Sequence, residues 1–250
     1  MKYHLLLVCL FLLSGSSAVA AEDSAPAPTA EDIVARMTAR DLQRQSSIDG
    51  YAGMRRYVFE NQKMKKHAEM LVKVKGDQHG TKHFEVISED GWKAAHKHVL
   101  HKMLESESET SRPGIRASAK LTHENYDFQL VGTEELTGRV AYVLEVRPKR
   151  NEKNLFRGRI WVDVEDYALA RVEGNPAKKP SFWTKSIHFV QVYEKRGPIW
   201  FPLSTQSVTE AHLFGTTDVN IEYFDYAPQG QPSQGSSEIT LVSAKGTDHP

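Results

Sequence analysis

The chain has 250 residues, with 32 Lys plus Arg against 32 Asp plus Glu, a formal net charge of zero and one cysteine. A neutral balance excludes a global field that would draw in nucleic acid, and a lone cysteine excludes a disulfide-built fold. Roughly 230 residues beyond an N-terminal leader suffice to bury the core of one large domain.

Residues 1–20 read as a signal peptide, with Lys2 as the basic start, an apolar run from Leu5 to Leu13, and small residues at Ala18 and Ala20 that place cleavage near Ala20. The run is too short to span a bilayer and none like it follows, so no integral membrane segment is expected in the mature chain, which is expected in the periplasm. Cys9 lies inside the leader, upstream of the small residues, and is a signal-peptide hydrophobe rather than a lipid-attachment site. Residues 21–30 are a Pro/Ala linker ending in Thr29, which with Asp32 forms a capping box for a helix burying Ile33, Val34 and Met37.

Strands are expected at 50–60, 69–75 and 83–88, separated by turn residues. From Asp90 the period changes: Trp92, Ala95, Val99 and Met103 recur at helical spacing, joined by Leu100 and Leu104, until ESESETSRPG dissolves the pattern. Strands resume at 126–132, 139–147, 159–164, 167–173, 185–195, 199–212 and 216–226. In the last, Val219, Ile221 and Tyr223 alternate with Asp218, Asn220 and Glu222, giving the sheet a dry and a wet face. The reading is one mainly β (α+β) domain over 31–227, an antiparallel meander with covering helices. Residues 228–250 form a low-complexity tail in which 238–243 could add an edge strand.

Candidate chemistry is sparse. His98, His101 and Glu105 at i, i+3 and i+7 could share a helix face and hold zinc, but no third ligand of known geometry joins the histidines, so no metal is expected. Asp163, Glu165 and Asp166 cluster in DVED, which between two strands is turn chemistry rather than an acid/base pair. No GxSxG, HExxH, P-loop or GxGxxG string occurs, so neither an enzyme nor a cofactor is expected. Lysines at 63, 65, 66, 73, 75 and 82 and the arginines around 147–159 read as solvated hairpin faces. An integral outer-membrane barrel is disfavoured, because a helix interrupts the strands and Lys73, Lys75, Asp218 and Glu222 break any lipid-facing band.

A sheet of about ten strands with one apolar face curls or closes, and its interior is either filled or open to a ligand. Tyr142, Leu144 and Val146 share one face, as do Ile160 and Val162, and Val219, Ile221 and Tyr223. These eight are expected to line the interior, with Trp92, Val99 and Met103 as a helical lid.

The strings NYDF at Asn125, GRVAYVLEV at Gly138, GRIWVD at Gly158, GNPAKKPSFW at Gly174, GPIW at Gly197 and IEYFDY at Ile221 resemble outer-membrane lipoprotein-sorting proteins, relatives of the periplasmic carrier LolA. The resemblance spans roughly residues 31–226. It implies an incompletely closed antiparallel barrel, LolA-like, whose helices cover a concave face that receives acyl chains. The implied function is a non-enzymatic carrier of acylated lipoprotein or lipid, with a possible membrane-bound donor or acceptor protein. The alternative is an interaction or sensor protein using the same scaffold to regulate an envelope signalling partner.

Overall fold

A computed structural model describes residues 27–179 and 184–229. The expected signal peptide, most of the linker and nearly all of the tail, with its candidate strand at 238–243, lie outside the described residues. Ten strands occupy the ten expected places: β1 (Gly50–Asn61), β2 (Lys66–Asp77), β3 (Lys82–Gly91), β4 (Tyr126–Leu136), β5 (Arg139–Pro148), β6 (Phe156–Asp163), β7 (Leu169–Pro176), β8 (Thr184–Arg196), β9 (Ile199–Ala211) and β10 (Gly215–Gln229). They form one sheet in the order β3-β2-β1-β10-β9-β8-β7-β6-β5-β4, and every pairing is antiparallel. The meander folds back because β10 pairs with β1, while among the described residues β3 and β4 are the edges. The result is an open sheet, not a closed barrel.

Helix α1 (Ala30–Ser46) begins as expected: the Asp32 amide donates to Thr29 Oγ1 (3.2 Å) and the Thr29 amide to Asp32 Oδ2 (3.1 Å). Its buried face, Ile33, Val34 and Met37, packs on Leu144, Val146, Ile160, Val162 and Val172. Burying side chains of this size stabilises the fold by about 1.5–3 kcal/mol each. Arg44 ties the far end of α1 to the β6–β7 turn, donating to the carbonyls of Asp166 (3.1 Å) and Tyr167 (3.4 Å).

The second helical segment departs from the sequence pattern. It comprises α2 (Lys93–Ala95), a π-helical turn (His96–Leu100) and α3 (His101–Ser111), and α4 (Pro113–Ala119) follows. ESESET therefore continues the helix instead of dissolving it, and Pro113 starts a new one at a position where its missing N–H costs nothing. The extra residue of the π-turn shifts the inward face, so Ala95, Leu100 and Leu104 are buried whereas Val99 and Met103 are half-buried. The buried three pack on Tyr57, Phe59, Met70, Val72, Val219 and Ile221. Both helical layers thus sit on the same, concave face of the sheet. On the opposite face Ala141, Val143 and Trp161 form a small separate cluster.

Each edge strand carries one bulge. In β3 Ile87 has no partner between Val86 and Ser88, and in β4 Val131 has none between Leu130 and Gly132. Both bulged residues are exposed, 49% and 47%.

Candidate functional site

Between the C-terminal half of α1 and the end of α3, the concave face is not filled. A cavity of about 370 Å³ lies over the first residues of β1 and β9 and the last of β8 and β10. Its floor is aromatic, with Tyr51, Tyr193, Phe201, Tyr223 and Tyr226. Tyr51 and Tyr226 stack at 5.8 Å between centroids, and Phe201 meets both edges at 5.6 and 6.2 Å. Two glycines make room for these rings. A Cβ at Gly53 would sit 2.3 Å from the Tyr226 ring, and one at Gly76 would sit 2.3 Å from the Tyr51 ring.

One wall is ionic. Arg55, 2% exposed, grips Glu107 of α3 with both terminal nitrogens (2.7 and 3.1 Å), while Lys82 of β3 donates to the same carboxylate (2.6 Å). Arg55 also donates to the hydroxyls of Tyr226 (2.7 Å) and Tyr57 (3.2 Å), and its guanidinium lies over the rings of Phe84 and Tyr223 at 5.2 and 4.8 Å. Burial alone would push the Glu107 carboxyl up, but Lys82 and Arg55 outweigh it and hold it at about 2. The Glu107 side chain keeps 32% of its surface exposed, so the two cations set the direction. Burial pushes the Tyr57 hydroxyl up to about 12 and those of Tyr193, Tyr223 and Tyr226 upward too; near neutral pH they are protonated donors. Arg44 and Arg116 complete the basic lining, against Asp41 and Asp77, and Arg116 pins α4 to the β2–β3 hairpin through the His79 carbonyl (2.8 Å).

Of the eight expected lining residues, Tyr223 lines this cavity, its hydroxyl 3.0 Å from Thr205 Oγ1. Val219 and Ile221 are buried on the same strand, towards Leu100 and Leu104. Leu144, Val146, Ile160 and Val162 are buried beneath α1, and Tyr142 is half-buried with its ring 6.1 Å from that of Tyr167. Trp92, Val99 and Met103 pack half-buried against the β1–β2–β10 cluster, with Trp92 5.9 Å from Phe59. Arg55, Lys82, Glu107 and Tyr226 were missed. Arg55 had a signal, a charged residue in phase with Tyr57 and Phe59 on the dry face; Glu107 had none.

The other clusters resolve into ordinary contacts. Asp163 accepts the amides of Glu165 (3.1 Å) and Asp166 (2.8 Å) and a two-pronged grip from Arg139 (2.7 and 2.8 Å), the turn chemistry expected of DVED. His98, His101 and Glu105 share a surface recess with Lys93, Lys97 and Lys102, and His101 contacts Glu89. Among the described residues, no group of three or more His, Cys, Asp or Glu side chains is arranged to hold a metal ion, and no helix is long and apolar enough to cross a membrane.

A family model described as a family of unknown function, DUF5686, matches residues 119–226. No curated protein matches the chain. Crystal structures similar at low identity include the following three. A DUF1329 family protein from Desulfovibrio piger is 13% identical, covering 80% of this chain and 95% of its own, with a TM-score of 0.40. A LolA superfamily protein from Nitrosomonas europaea is 14% identical, covering 82% and 96%, with a TM-score of 0.37. A domain described as that of an outer membrane lipoprotein-sorting protein from Vibrio parahaemolyticus is 12% identical, covering 80% and 94%, with a TM-score of 0.39. The chain's own strand order and covering helices make, among the described residues, an open antiparallel β half-barrel with helices on its concave face, the architecture expected from the sequence.

Proposed function

We propose that the protein is an exported, periplasmic, non-enzymatic carrier that takes an acyl chain of a lipoprotein or lipid into the cavity between α1 and α3. The observation that carries this reading is an unfilled space on the concave face with an aromatic floor, next to a helix whose end is fastened to β1 and β3 through the Arg55–Glu107–Lys82 cluster. Each methylene withdrawn from water contributes about 0.8 kcal/mol, so partial burial of one chain gives useful affinity. Cargo enters at Tyr223. As α3 moves outward with Trp92, Val99 and Met103, Val219 and Ile221 become wall. Tyr142, Leu144, Val146, Ile160 and Val162 are reached only if α1 also lifts.

The test is displacement of a fluorescent acyl probe from the full exported chain, with native mass spectrometry of the protein as purified. Thr110 lines the cavity from α3, and Thr110→Trp is expected to fill it and weaken the probe at least about tenfold without lowering the melting temperature. Wild-type affinity in a folded Thr110→Trp protein would remove the cavity from the mechanism. A captured envelope protein with no bound lipid would favour the sensor reading.

A further inference from the structure

The wall of the cavity carries two cations on one carboxylate. Both oxygens of Glu107 are occupied, Oε2 by Arg55 and Oε1 by Arg55 and Lys82 together. Arg55 commits four of its five N–H donors, to Glu107 and to the Tyr57 and Tyr226 hydroxyls, and its guanidinium lies over the Phe84 and Tyr223 rings. Lys82 is different. Its ammonium has three N–H donors, and among the described residues Glu107 accepts one of them, while the side chain lines the cavity and is 30% exposed. The wall therefore holds an excess positive charge with free donors, facing an aromatic floor.

The nearby carboxylates do not cancel this charge. Asp77 Oδ1 accepts the amides of His79 (2.8 Å) and Thr81 (2.9 Å) in its own turn. Asp41 accepts from Gln45 (2.7 Å) and lies in the field of Arg44, Arg116 and Lys120. A buried cation beside apolar surface is costly until an anion meets it, and a chain tethered to that anion would lie on the rings.

We propose that the ligand class of this cavity is an anionic amphiphile, a single acyl chain ending in a carboxylate or phosphate, and that Lys82 is the residue that binds its headgroup, with Arg55 holding Glu107 aside. This deepens the carrier reading and rests on it.

The full chain is titrated with palmitate, with its neutral glycerol monoester and with inorganic phosphate, each displacing an acyl probe. Charge-assisted bonds favour palmitate over the neutral ester by at least about tenfold, and that preference falls with added salt. Lys82→Met is expected to erase the preference and Lys82→Arg to keep most of it. Glu107→Gln, which releases both cations, is expected to strengthen palmitate binding. Equal binding of palmitate and its neutral ester by wild type would overturn the headgroup assignment and leave the cavity reading standing. Binding of neither would overturn both. Phosphate displacing as well as palmitate would mean a free-anion site and would also overturn the proposal. If Lys82→Met does not fold, by circular dichroism, the wild-type comparison and its salt dependence still decide.

Discussion

Arg55 on β1 and Glu107 at the end of α3 meet through two hydrogen bonds across 52 residues of chain, so the helix over the cavity is fastened to the sheet by a buried guanidinium. Glu107→Ala strands that buried cation and is expected to cost about 2–4 kcal/mol in urea melts, whereas Arg55→Met leaves Glu107 with Lys82 and costs less. Equal losses would mean that Lys82 contributes nothing.

The same contact sets an acid limit. Glu107 titrates at about 2 in the folded protein, against an ordinary value of 4.5. Its contribution is fully present above the ordinary value and is lost as pH falls from about 4.5 towards 2. Asp163 and Asp166 are also held low and lose stability as pH falls too, so the informative quantity is a difference. The stability gap between wild type and Glu107→Gln is expected to shrink from pH 6 to pH 3. A constant gap would mean that the carboxylate is not ionically held.

The strands and α1 were legible because their causes are local: alternation, turn residues and a capping box that forms as written. The cavity was not. Alternation identifies which residues face inward, but inward-facing Leu144 and inward-facing Tyr223 look alike until the helices are placed, and the first is packed under α1 while the second faces open space. The π-turn was invisible for a related reason. Trp92, Ala95, Val99 and Met103 keep a perfect α-helical period, and only tertiary packing rotates the face towards Leu100, Leu104 and Glu107.

Leu144 is fully buried in the cluster beneath α1, so Leu144→Ala is expected to cost about 2–5 kcal/mol while leaving acyl-probe affinity of the folded protein unchanged. Ile221→Ala, on the side where α3 moves, is expected to lower both. Denaturant melts and probe displacement on the two variants separate a filled half of the concave face from an opening half; loss of probe affinity in Leu144→Ala would move cargo under α1.

The π-turn accommodates one inserted residue. Deleting exposed Lys97 converts the π-turn (His96–Leu100) to α-helix, and because the wider turn already absorbs the extra residue, Leu104 and Glu107 keep facing the sheet. The deletion is expected to fold with near-wild-type acyl binding, as is Lys97→Ala. A large loss of stability or of acyl binding in the deletion alone would show that the π-turn itself is needed to seat α3.

The two bulges protect the open edges. Because β3 and β4 lack outer neighbours among the described residues, each presents unpaired backbone groups there, the usual template for edge-to-edge association. An unopposed residue bends and twists a strand and spoils that template, and Ile87 and Val131 are placed to do this in mid-strand. Deleting Ile87 leaves the facing of its neighbours intact, since Val86 already opposes Val72 and Ser88 already opposes Leu71; the protein should fold with a flatter edge. Light scattering during gel filtration is expected to show concentration-dependent association for the Ile87 deletion and more for the double deletion with Val131. Ile87→Lys, which keeps the bulge and adds charge, is expected to stay monodisperse at concentrations where the deletion associates. If the deletion also stays monodisperse at those concentrations, the edges are guarded by something other than their bulges, and the acidic run Glu89–Asp90 on β3 becomes the next residue pair to neutralise.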